Sequence, residues 1–293
     1  MARLQMRDAI QSEIMQRTQA HQARIAGWKW SSANLLAAGA SAPPKPLTLL
    51  AHGDSWFDYP LDGNGFSPHH TDIIAHLESM GTVSPLIHNV SHHGDATTEE
   101  MSWPKQKRLI ESLSNPGNWF DEKPDAILFS GGGNDIAGEQ FCIFLNNASP
   151  AATGLNANRL QKALGIVEAS YLALFSLRDT HAPDVPIFGH SYDFPIPSGI
   201  HPLCAGPWLL PSLIFCGWDK VNGAKIVRSA LKEFDALLMD LANVATNKFI
   251  LIDTQGSLDQ SAWANELHPH PVGFKKLAEK FVDALRTRFP GRI

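Results

Sequence analysis

Short apolar runs alternate with longer amphipathic stretches from about residue 46 to the end of the chain. The runs "LTLLAH", "SPLIHNV", "PDAILFSGGGND", "VPIFGHSY" and "KFILIDT" are brief and rich in branched or aromatic residues, which predicts five buried strands. Helical patterns fall between them. "SPHHTDIIAHLESMG" predicts a helix starting at Ser67 or Thr71 and stopping at Gly81. "TTEEMSWPKQKRLIESLSN" predicts one around an internal Pro104. Long helices are expected over about Leu155 to Thr180 and over "KVNGAKIVRSALKEFDALLMDLANVATN", and "PVGFKKLAEKFVDALRTRF" closes the chain as an amphipathic helix. Ahead of the first strand, residues 3–28 carry Leu4, Ile10, Ile14 and Ile25 at helical spacing, and "AAGASAPPKP" follows as a linker.

Strands that are apolar throughout and separated by helices imply a parallel sheet covered on both faces, an α/β fold. The expected organisation is an N-terminal helix and linker over 1–45 and one α/β domain over 46–293. Two long insertions interrupt that domain at about 139–154 and 193–218. The second, "DFPIPSGIHPLCAGPWLLPSLIFCGW", is apolar and rich in Pro and Gly, the makeup of a lid, a substrate wall or a satellite core. In parallel sheets ligands sit at the carboxyl ends of the strands. Here those ends read "HGDS", "NVSHHGD", "SGGGND", "HSYD" and "DTQG", so the polar chemistry gathers where such a fold puts a site.

Composition narrows the function classes. The 293 residues are 44% hydrophobic, enough for a substantial core. A net charge of -5, with no basic run, argues against a nucleic-acid partner. The first residues lack the apolar core of a signal peptide, and no run approaches the roughly 20 apolar residues of a transmembrane span. A cytoplasmic location is therefore expected. Cys142, Cys204 and Cys216 form no metal or disulfide framework, though Cys204 and Cys216 could pair if the chain doubles back between them. The N-terminal helix can pack on its own domain or serve as a homodimer contact.

Four residues at the strand ends could act together. Ser55 follows a strand, where a nucleophile can be presented beside backbone N–H groups; taken alone, it is an ordinary turn serine. Gly94 can bring its N–H close to a ligand. Asn134, after three glycines, offers a neutral side-chain donor to an oxyanion. His268, between the last strand and the last helix, is placed to act as a general base.

In this order the blocks resemble the SGNH, or GDSL-type, hydrolase superfamily. Its Gly-Asp-Ser block, block glycine, Gly-x-Asn-Asp block and Asp-x-x-His-Pro block correspond to Ser55, Gly94, Asn134 with Asp135, and His268 with Pro269. The resemblance implies a flavodoxin-like three-layer α/β/α fold with a central five-stranded parallel sheet. It also implies a serine nucleophile, an oxyanion hole from Ser55, Gly94 and Asn134, and no cofactor or metal. One position departs: Asn265, with Glu266 beside it, stands where the family has Asp. In a serine protease that exchange costs roughly 10⁴ in rate, because the amide favours the wrong imidazole tautomer. The expected substitutes are Glu266 or a backbone carbonyl, with Asp253 or Asp259 as further acids.

Hydrolysis of carboxylic esters, lipase-like or esterase-like, is the implied activity. Trp56, Phe57, Tyr59 and Trp208 are the expected substrate wall, suited to short or medium acyl, lipid-like or aryl esters. Two alternatives remain. One is an inert ester- or lipid-binding member of the same fold, which Asn265 motivates. The other is a metallophosphoesterase using His52, Asp54, His92, His93, Asp95 and their neighbours as ligands, although the Asp-x-His and Gly-Asn-His blocks of that class are absent.

Overall fold

The computed structural model describes residues 2–61, 71–202 and 205–293. Five strands form one parallel sheet: β1 Thr48–Gly53, β2 Leu86–Asn89, β3 Ala126–Ser130, β4 Ile187–His190 and β5 Phe249–Ile252. Their order is β2-β1-β3-β4-β5. Every residue of β1, β3 and β4 is buried, as two-sided helical cover requires. After β1 the chain goes outward to β2 and then returns to the other side of β1 as β3. The crevice between the ends of β1 and β3 is therefore the topological switch point, where ligands bind in open α/β sheets.

The helices are α1 Ala2–Ala37, α2 Ile73–Leu77, α3 Thr97–Glu100, α4 Trp103–Ser114, α5 Gly133–Ile136, α6 Ala157–His181, α7 Leu210–Phe215, α8 Lys220–Asn243 and α9 Pro271–Arg288. On one face α6 brings Tyr171 edge-on to Phe129, and α8 packs beside it. On the other face α9 sets Phe281 against His190 and Phe57. The result is the three-layer α/β/α fold that the sequence resemblance implied.

Several boundaries differ from expectation for local reasons. Pro104 does not sit in a helix interior. It lies in the first turn of α4, where its missing N–H costs nothing, and the predicted helix divides there into α3 and α4. Asp72 caps α2 by accepting the Ala75 N–H, so the helix starts later than Thr71; Ser67 lies outside the described residues. The 193–218 segment contains a short helix, α7, unannounced by its Pro- and Gly-rich sequence. The proposed Cys204 pairing also lies outside the described residues, while Cys142 and Cys216 are free thiols.

The N-terminal helix is longer than expected and folds back onto its own domain. Ile14 and Ile25 are buried, His21 stacks on His88 of β2, and the helix lies against that edge strand. Among the described residues, α6 alone is long and apolar enough to cross a membrane by length and composition. Its Leu160, Leu164, Val167, Tyr171, Leu174 and Phe175 are buried in the protein.

Candidate active site

Gly53 ends β1 in close contact with β3. A Cβ there would lie 2.4 Å from the Ser130 carbonyl oxygen, and its φ of +155° is one that side chains rarely adopt. The chain then turns. The Asp54 N–H donates to that same carbonyl, and the Phe57 and Asp58 N–H groups close back on the Asp54 carbonyl. The Asp54 carboxylate accepts from Tyr192 OH (2.6 Å), Ser130 Oγ (2.8 Å) and the Trp56 N–H (3.0 Å). Burial pushes its pKa up to about 6 despite these bonds. Asp54 thus pins the turn that carries Ser55.

Ser55 Oγ lies 2.7 Å from His268 Nε2. His268 comes from the segment before α9, 213 residues away in sequence. Its other ring nitrogen, Nδ1, is 3.1 Å from Asn265 Oδ1. That oxygen also accepts the backbone N–H groups of Leu267 (3.0 Å) and His268 (2.9 Å). Flipping the amide would turn its NH2 toward two N–H donors, so the oxygen is held facing the ring. The Asn265 NH2 instead donates to the Tyr59 hydroxyl. With an acceptor at Nδ1, the imidazole carries its proton there and leaves Nε2 free to accept from Ser55. Burial, aided by nearby His93, drives the His268 pKa down to about 3.

Glu266 is not the partner of the ring. It is fully buried, and its carboxylate accepts four backbone N–H groups, those of Gly199, Trp208, Leu209 and Leu210. Those donors belong to the 193–218 segment, so Glu266 ties that loop down. Asp253 and Asp259 bond to the N–H groups of Gln255 and Ser261 in their own turns.

Asn134 lies on α5 and lines the same cleft as Ser55 and His268. One hydrogen of its NH2 goes to the Asp95 carbonyl at 2.8 Å, leaving the second as a donor. The adjacent Asp135 accepts from both the N–H and the hydroxyl of Thr97, at 2.9 Å each. These bonds join the Asn134 block to the loop that carries Gly94. Gly94 has φ +81° and nothing within 4 Å of where a Cβ would be, so its backbone is open to close approach.

The cleft opens to solvent and holds about 30 Å³ of water-accessible space. Trp56, Tyr192, Pro195 and Leu231 wall it beside the reacting groups. Of the expected aromatic wall, Trp56 is in place. Tyr59 lies tilted against the His268 ring (4.6 Å between centroids), and Trp208 approaches it edge-on at 5.8 Å. Phe57 is a correction: it is wholly buried against His190 and Phe281, on the core side of the turn. Tyr192 and Leu231 were not singled out from sequence. Tyr192 had a signal, its place in the polar "HSYD" strand end; Leu231, in the middle of α8, had none.

The residues weighed as metal ligands are dispersed. His52 Nε2 bonds the Glu100 carbonyl, Asp54 serves the Ser55 turn, and His92 stacks on His93. Among the described residues, no three His, Cys, Asp or Glu side chains gather as a metal site.

Solved structures share this fold. A lipase from goat rumen metagenome aligns with a TM-score of 0.54 at 15% identity, over 81% of this chain and 97% of that one. An extracellular lipase from Streptomyces rimosus aligns with a TM-score of 0.49 at 16% identity, over 80% and 98%. A member of the lipolytic protein G-D-S-L family from Veillonella parvula gives 0.46 at 16% identity, over 82% and 98%. At such identities the likeness speaks for the fold, and the first of the three carries it. No family model matches the sequence, and no curated protein matches it.

Proposed function

We propose that this chain is an SGNH-type serine ester hydrolase working through an acyl-enzyme on Ser55. The observation that carries the reading is the 2.7 Å contact between Ser55 Oγ and His268 Nε2, with the Nδ1 proton directed to Asn265. The fold it shares with a solved lipase supports it.

His268 takes the hydroxyl proton as Ser55 Oγ bonds to the ester carbonyl carbon. The carbonyl oxygen becomes an anion, met by the Ser55 and Gly94 backbone N–H groups and the free hydrogen of the Asn134 amide. As the C–O bond to the alcohol breaks, His268 returns the proton to the leaving oxygen. Water then repeats the sequence on the acyl-enzyme and releases the acid. Asn265 fixes ring orientation and tautomer but brings no charge to balance the imidazolium.

The narrow cleft between Trp56, Tyr192, Pro195 and Leu231 favours a short acyl group. A fluorophosphonate probe tests the reading. Covalent labelling mapped to Ser55 by mass spectrometry supports an activated nucleophile. An unlabelled, folded protein points to an inert binder of esters.

A further inference from the structure

Arg17 sits in the middle of α1, outside the strands that carry the site, yet it reaches two of the loops that build it. Its Nη1 donates to Asp58 Oδ1 at 3.1 Å, and its Nη2 donates to the Ser91 carbonyl at 3.3 Å. Asp58 belongs to the Ser55 turn, where its N–H closes on the Asp54 carbonyl. Ser91 begins the loop that leads through His92 and His93 to Gly94. The two loops are already close, since the His92 N–H donates to the Gly53 carbonyl and His93 Nδ1 lies 3.7 Å from Asp58 Oδ2. A planar guanidinium can grip two acceptors in a fixed relation, which a point charge cannot.

The helix supplies the anchorage. On the same side of α1, Ile14 and Ile25 are buried, Thr18 Oγ1 is 3.0 Å from His88 Nε2, and His21 Nε2 is 2.8 Å from the Asn118 carbonyl. Glu13, one turn earlier, holds the guanidinium from the helix side at 3.2 Å. Arg17 is thus fixed at both ends, and only 24% of its side chain is exposed.

We infer that Arg17 is a positioning residue that sets the spacing of the Ser55 and Gly94 backbone donors, making the N-terminal helix a working part of the oxyanion hole. The inference rests on the ester-hydrolase reading for its kinetic consequence but not for its structural one. An oxyanion forms only in the transition state, so a misplaced hole lowers kcat and leaves KM nearly unchanged. A shift of about 1 Å in such a site can cost up to roughly 10²-fold, and a loosened brace should cost about tenfold.

The test compares wild type, Arg17→Met, Arg17→Lys and Asp58→Asn. For each, p-nitrophenyl acetate turnover is measured per active site titrated with a fluorophosphonate, and hydrogen exchange is followed across residues 54–58 and 91–95. Arg17→Met should lower kcat about tenfold with KM within about twofold, and Arg17→Lys should recover part of the loss. Exchange should quicken in both loops. Asp58→Asn should act in the same direction and stands in if Arg17→Met does not fold. A lowered melting temperature with kcat per site and loop exchange both unchanged would overturn the inference. If wild type itself shows no turnover, the ester-hydrolase reading fails, and the exchange data alone decide whether Arg17 braces the loops.

Discussion

Asn265 Oδ1 faces His268 Nδ1 at 3.1 Å, held in that direction by the backbone N–H groups of Leu267 and His268. An amide in the acid position of a serine–histidine site is damaging when its NH2 turns toward the ring and forces the wrong tautomer. Here two N–H donors oppose that flip. In the proposed mechanism Asn265 keeps the orienting function of the acid and brings no charge.

Exchanges at Asn265 should separate those two functions. Asn265→Ala removes the orienting oxygen and should lower kcat by about 10²-fold, within the range a general base contributes. Asn265→Asp restores a charge 3.1 Å from Nδ1 and should raise the His268 pKa by about 1–3 units. The acid limb of kcat/KM should move upward with it. Steady-state kinetics from pH 4 to 9 on both variants checks this.

In the wild type the same reasoning predicts activity in acid. In the proposed mechanism the free base is the working form, and burial lowers the His268 pKa to about 3. Base function is thus kept as pH falls through 6.5, where an exposed histidine would protonate. The acid limb of kcat/KM should lie well below pH 5, and a half-point near 6.5 would contradict it.

In the proposed mechanism Asn134 is the side-chain donor of the oxyanion hole. Asn134→Ala should cost about 10²–10³ in kcat with little change in KM, as for other single lost oxyanion donors. Because the amide also holds the Asp95 carbonyl, hydrogen exchange around Gly94 should be compared alongside.

Glu266 bears on stability and on the cleft wall. Replacing it with Gln puts an NH2 where backbone N–H groups now converge, at 2.6 Å from Trp208 and 2.8 Å from Leu209. Glu266→Gln should destabilise the fold by about 2–4 kcal/mol. Since the loop it ties down contributes Pro195 to the cleft, KM should rise as well. Denaturant unfolding and kinetics measure the two effects.

Glu100 gives a pH-dependent prediction away from catalysis. It is fully buried, and neither carboxyl oxygen has a hydrogen-bond partner among the described residues. Burial, reinforced by the carboxyls of Asp54 and Asp135, raises its pKa well above the usual range. The folded state keeps a proton that the unfolded chain releases above about pH 4.5. Its contribution is therefore complete below that pH and declines as pH rises toward the folded pKa. Glu100→Gln has no such proton to lose. Its stability relative to wild type should grow from pH 5 to pH 8, by at most about 1.4 kcal/mol per pH unit.

The strands and the order of the site blocks were readable because each is local. A strand shows in four to six consecutive residues, Ser55 and Asn134 follow strand ends, and His268 precedes the last helix. What sequence could not assign depends on distant partners. The four N–H groups that claim Glu266 lie 56 to 67 residues upstream in a loop without periodicity. Phe57 and Trp56 are neighbours in one turn and both pack on α9, against Phe281 and Phe274, and only Trp56 also reaches the cleft, which no local pattern distinguishes. Arg17 looks like any helix-surface arginine until α1 is docked. Pro104 could have been read correctly, since Ser102 before a Trp-Pro pair is a helix-start signal.

The most direct test of the central claim is hydrolysis of p-nitrophenyl acetate and butyrate by wild type and Ser55→Ala, with chelator present. The account predicts turnover by wild type, faster on acetate than on butyrate, and none above background by Ser55→Ala. Equal turnover by the two proteins, or a wild type silent on both esters, would contradict it.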